Sequence, residues 1–114
     1  MIDGDPRLPA HVEVSSIIRM AEASGGMASV LARGERDAGT ILLVMICRGM
    51  DPQLYERMPN PAGQRRFILT KSQSIEKKDE FSEYLARRHR QDPDIWIIEV
   101  DIDHPQRFVE ELPV

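Results

Sequence analysis

The stretch RRHRQDPDIWIIEVD, residues 87–101, sets a cluster of cationic side chains, a turn and an apolar run in direct succession. Arg87, Arg88, His89 and Arg90 fall in the last turn of a helix that the spacing predicts over about Gln73–His89. Backbone carbonyls at a helix C-terminus carry partial negative charge, so each cation there stabilises by roughly 0.3–1 kcal/mol. Pro93 forbids continuation and holds Asp92 extended. From residue 94 the chain alternates: Trp96, Ile98, Val100 and Ile102 share one face, and Ile95, Ile97, Glu99, Asp101 and Asp103 share the other. Trp96 therefore anchors a core face, with an indole N–H that needs a partner. A helix end meeting a core strand is the reading from which the rest follows.

Upstream, Ala10, Val14, Ile17, Ile18 and Ala21 line one helical face, and Gly25 is placed to stop that helix. Strands are predicted at 27–33, 40–48, 53–58 and 65–71. The second of them, TILLVMICR, is apolar on both faces, as in a central strand covered on both sides. GERDAG (34–39) reads as a hairpin loop, Asp51-Pro52 as a turn, and PNPAGQ (59–64) as a loop. Ser72 or Ser74 can cap the second helix, with Glu76, Asp79 and Glu80 near its positive end. Ile75, Phe81 and Leu85 face inward from it, with Ala86 or Tyr84, and Glu83 and Arg87 have i, i+4 spacing. One more short turn is expected around Pro105–Glu110.

Three short connections in a row make an antiparallel meander the simplest topology. The predicted fold is α+β: a five-stranded antiparallel sheet, built from a meander of four strands plus the C-terminal strand. Two main helices cover one face. The second face of the apolar strand suggests a further cover, and a second copy of the protein is one candidate. Residues 1–9 read as a flexible lead-in and residues 10–114 as a single domain.

Composition narrows the function classes. A chain of 114 residues with 41% hydrophobic and 30% charged residues can build one core and is not disordered in bulk. Its longest apolar run, Ile41–Cys47, is far short of the ~20 residues of a spanning helix. No signal-peptide pattern opens the chain, and its single cysteine fits a reducing cytoplasm and excludes a cysteine-based zinc cage. The net charge of −4 argues against nucleic acid as a partner, although Lys71–Arg90 concentrates basic residues.

Two clusters are candidate sites. Arg87, Arg88 and Arg90, joined by Arg66 from a strand, form a candidate anion site; the competing explanation is that they finish a helix. Glu99, Asp101 and Asp103, followed by His104, form a candidate site for a hard cation completed by a phosphate substrate. Against it, charges at a strand end also discourage edge-to-edge aggregation. No nucleophile elbow, Walker loop, dinucleotide fingerprint or histidine pair at metal spacing is present, so no catalytic residue and no cofactor is expected.

RLPAHVEVSSIIR (7–19), RGERDAGTILLVM (33–45) and RQDPDIWIIEVD (90–101) occur in the order and spacing of a family of small alphaproteobacterial proteins. The chain resembles that family, domain of unknown function 1491 (DUF1491), from Arg7 to Asp103. It departs at Glu13, near a position often aromatic in the family, and in YERMP, which lacks the usual glycine after the tyrosine. The resemblance implies a free-standing cytoplasmic protein and supplies no catalytic residues.

The function expected from these observations is a non-enzymatic binding or protein-interaction module, with an unknown protein partner or self-association. The alternatives are a Mg-dependent phosphate- or nucleotide-handling protein using Glu99, Asp101 and Asp103, and an RNA binder using the basic helix end.

Overall fold

Helix α1 spans Ala10–Ala23 and buries Ala10, Val14, Ile17 and Ala21 on one stripe, with Ile18 packed at its margin. Gly25 ends it with a φ of 87°, which lets its own N–H reach Glu22 O at 3.1 Å and the Gly26 N–H reach Ala21 O at 2.9 Å. These two bonds satisfy carbonyls the helix leaves open. The computed structural model describes residues 8–59, 65–72 and 78–113. Most of the expected lead-in, most of the proline-containing loop and the expected start of the second helix, with Ser74, Ile75 and Glu76, lie outside the described residues.

Five strands follow: β1 (Met27–Ala32), β2 (Ile41–Cys47), β3 (Met50–Pro59), β4 (Arg65–Ser72) and, after helix α2 (Lys78–Gln91), β5 (Trp96–Asp101). Helix α3 (Pro105–Glu110) occupies the expected short turn. The sheet order is β1-β5-β2-β3-β4. The α+β class and the number of strands agree with the sequence reading, but the purely antiparallel meander does not. Strand β5 inserts between β1 and β2, antiparallel to the first and parallel to the second, so the sheet is mixed.

The physical reason lies in GERDAG, which is a crossover and not a hairpin. It wraps the entry to β5: the Glu35 N–H donates to Asp94 O at 2.9 Å, and Trp96 Nε1 donates to Glu35 O at 2.7 Å. Gly39 is needed there, since a Cβ would stand 2.8 Å from Glu35 O and 2.9 Å from Trp96 Cδ1. The same loop caps α1, whose Ala10 and His11 N–H groups donate to Asp37 O and Arg36 O at 2.9 and 2.8 Å. Pro9, the residue before α1, makes no side-chain cap bond, so the loop's carbonyls do that work. The Glu35 carboxylate accepts from the Ala38 and Asp37 N–H groups, and these bonds hold its pKa below the ordinary value.

The wholly apolar β2 and the largely apolar β5 lie side by side within the sheet. Their side chains divide between two cores. On the first face Ile41, Leu43, Met45, Trp96, Ile98 and Val100 pack with α1 and α3; on the second, Leu42, Val44, Ile46, Ile95 and Ile97 pack with Phe81 and Leu85 of α2. The two main helices therefore lie on opposite faces, whereas the sequence reading put both on one. Helix α2 supplies the cover over the second face of β2 for which a second copy was a candidate. Ala86 is exposed and Tyr84 half-buried, so Tyr84 is the residue that joins Phe81 and Leu85.

The β2–β3 turn falls at Arg48-Gly49, both at positive φ (54° and 76°), ahead of the expected Asp51-Pro52. Two residues with positive φ suit the right-handed twist of a tight hairpin. Strand β3 consequently begins earlier than expected.

Candidate functional site: a cation cluster around Tyr84

Strand pairing and burial fix what the second face carries beyond its apolar core. Glu56 stands opposite Leu42 across β2–β3, and Lys71 stands opposite Leu54 across β3–β4, so both belong to the face under α2. One helical turn separates Tyr84 from Arg88, which places both on the side of α2 that meets them. Three cations surround the Tyr84 ring: Lys71 Nζ at 4.7 Å from its centroid, and the Arg87 and Arg88 guanidinium carbons at 5.6 and 5.8 Å.

Within this cluster Arg88 is held. Its Nη1 donates to the Tyr84 hydroxyl at 2.9 Å and its Nη2 lies 3.0 Å from Glu56 Oε1. The second Glu56 oxygen accepts from Thr70 Oγ1 at 2.6 Å. Burial raises the Glu56 pKa, but the bonds from Arg88 and Thr70 and the Arg88 charge outweigh it, and the carboxyl sits below its usual value. The bond to Glu56 in turn raises the Arg88 pKa, against its own burial. Lys71 and Arg87 are exposed. Arg87 forms no ion pair with Glu83 among the described residues; it leans over Tyr84. The result is one arginine spent on joining α2 to the sheet and two cations at a solvent-facing rim.

The other sequence-predicted cations lie elsewhere. His89 bonds through Nε2 to Arg33 O at 2.9 Å, tying α2 to the end of β1. Arg90 is exposed and takes no place around the ring. Arg66 lines a groove of about 350 Å³ between the β3–β4 ribbon and α3, with Tyr55, Phe67, Val109, Glu110 and Leu112. Burial, then the Glu110 charge, raises the pKa of the Tyr55 hydroxyl in this groove. Of the four arginines grouped from sequence, Arg87 and Arg88 thus lie around Tyr84 together with Lys71, while Arg66 and Arg90 lie apart. Lys71, Glu56 and Thr70 escaped sequence reasoning because strand pairing alone brings them to α2; the Tyr84–Arg88 spacing was the one local signal.

The acidic residues of β5 and its exit are engaged separately. Asp101 accepts with both oxygens from the hairpin turn, Arg48 N at 2.7 Å and Gly49 N at 3.0 Å. Asp103 pairs with Arg48 Nε at 3.5 Å, His104 is the exposed residue that precedes α3, and Glu99 stands half-buried opposite Val44. Among the described residues no three of His, Cys, Asp and Glu are grouped so as to hold a metal. Trp96 is 3% exposed, with Arg33 over its ring at 5.4 Å.

Known proteins agree with this architecture. A family model described as "Protein of unknown function (DUF1491)" matches residues 8–110. No curated protein matches the chain. A crystal structure of a DUF1491 family protein from Caulobacter crescentus superposes with a TM-score of 0.78 at 28% identity, covering 95% of this chain and 99% of that one. The solution structure of protein Atu0922 from A. tumefaciens gives 0.71 at 28% identity, covering 95% and 98%. An NMR structure of a DUF1491 family protein from Caulobacter crescentus gives 0.75 at 26%, covering 92% and 94%. With the family model spanning most of its length, the chain belongs to the DUF1491 family.

Proposed function

We propose that the protein is a cytoplasmic, non-enzymatic binding module whose α2–β4 surface docks an acidic segment of a partner protein. The observation that supports this is the division of labour around Tyr84. Arg88 is neutralised by Glu56, whereas Lys71 and Arg87 stand exposed beside the ring. On a chain of net charge −4, two rim cations over a shared aromatic form a local attractor for carboxylates.

Calorimetric titration with an octa-aspartate peptide tests the reading. Binding is expected at low salt, and it should weaken several-fold as ionic strength rises and the Debye length shrinks to ~8 Å near 0.15 M. The Lys71→Ala/Arg87→Ala double variant should lose it while keeping the wild-type Tm, because both side chains are exposed. No binding at low salt, or equal binding by the double variant, would overturn the proposal. Saturation by inorganic phosphate with no response to the peptide would replace the acidic partner with a small anion.

A further inference from the structure

The two edges of the sheet differ in protection. Strand β4, at one edge, carries the exposed Arg66 and Lys71, and charges on an edge strand discourage pairing with another chain. Strand β1, at the other edge, reads MASVLA and carries no charge and no proline. Among the described residues it pairs with β5 alone. Its side chains include three exposed apolar groups, with Met27 70%, Leu31 50% and Val30 37% exposed. The break in β1–β5 register between Val30 and Ala32 limits the regular stretch to Met27–Val30.

The ends of β1 differ in charge. Arg33 follows its C-terminal end. Beside its N-terminal end stands the C-terminus of α1, which has no basic residue in its last turn and carries the exposed Glu22. An antiparallel pairing of two copies about a two-fold axis near Ser29 sets each Arg33 beside the other copy's α1 C-terminus. The contact is then made twice, and cations are favourable at that helix end.

We infer that β1 is a self-association edge, pairing antiparallel with β1 of a second copy to join two five-stranded sheets into one. Stable interfaces bury ~1,200 Å² or more. One short ribbon with three exposed apolar side chains offers less, so the dimer is weak and forms only at high protein concentration. This inference is independent of the Tyr84 surface, which lies toward the opposite edge.

Sedimentation equilibrium over a wide concentration range decides it, combined with amide exchange of residues 27–31. In the wild type the average mass should climb from one chain toward two, and β1 amide protection should rise several-fold with it. Ser29→Lys and Met27→Lys alter exposed positions and should keep the wild-type Tm while holding the mass at one chain throughout. A wild-type mass fixed at one chain up to the highest concentration overturns the inference. So does a dimer that survives both substitutions, or one that leaves β1 exchange unchanged.

Discussion

Arg88 of α2 and Glu56 of β3 meet at 3.0 Å, and this half-buried ion pair locks the helix to the sheet at the margin of the second core. Truncating one partner leaves the other desolvated without its counter-charge, at a cost of about 1–3 kcal/mol. Glu56→Ala and Arg88→Ala should each destabilise by about that amount in urea unfolding. The double variant should cost clearly less than the two singles together, because the partners act as one unit.

The same pair makes a prediction about acid. The folded Glu56 pKa lies below the unfolded value of about 4.3, so the unfolded chain takes up the proton first. The stabilisation is fully present above that unfolded value and is lost as pH falls through the lower folded one. Between pH 5 and acid unfolding, the wild type should lose more stability than Glu56→Gln, and the two curves should converge. Parallel curves would show that Glu56 is not held below its normal range.

A second clamp works on the opposite face. Glu13 of α1 bonds bidentately to Arg57 of β3, and the Arg57 guanidinium lies 4.5 Å from the Phe67 ring centroid. Arg57 Nε is buried with no hydrogen-bond partner, so this arginine depends heavily on Glu13. Glu13→Ala should destabilise by about 1–3 kcal/mol. The Glu13→Leu/Arg57→Met pair should recover most of that loss, since well-packed apolar replacements of such pairs are often neutral or stabilising. A double variant no more stable than Glu13→Ala would contradict this.

The crossover loop offers a sharper test of the topology. Gly39→Ala drives a methyl against the Glu35 backbone and the Trp96 ring and should cost about 1–3 kcal/mol, the usual range for overpacking. Loosening the bond from Trp96 Nε1 to Glu35 O should also shift Trp96 fluorescence to the red. A variant with wild-type stability and emission would show that the loop does not wrap β5 so closely.

Local periodicity made much of this fold legible. The stripe Ala10, Val14, Ile17 and Ala21, the alternation from Trp96 to Ile102 and the doubly apolar β2 all encode burial along one element. The strand order was not legible. GERDAG has the glycines of a hairpin, and its role depends on Asp94 and Trp96, about sixty residues away. The helix-end arginines were visible as a group, but their separate duties were not. Arg88 is committed by Glu56, His89 by the Arg33 carbonyl, and the cation that completes the Tyr84 cluster comes from β4. The partners of Asp101, the N–H groups of Arg48 and Gly49, were likewise not legible, because they belong to a turn with no sequence link to it.

The most direct test of the central claim is an amide chemical-shift titration of ¹⁵N-labelled protein with an octa-aspartate peptide at low salt. Saturable shifts should cluster on Lys71 and its β4 neighbours and on Tyr84–Arg88, and vanish in Lys71→Ala/Arg87→Ala. Shifts centred instead on the Arg66 groove, or scattered over the surface without saturation, would contradict it.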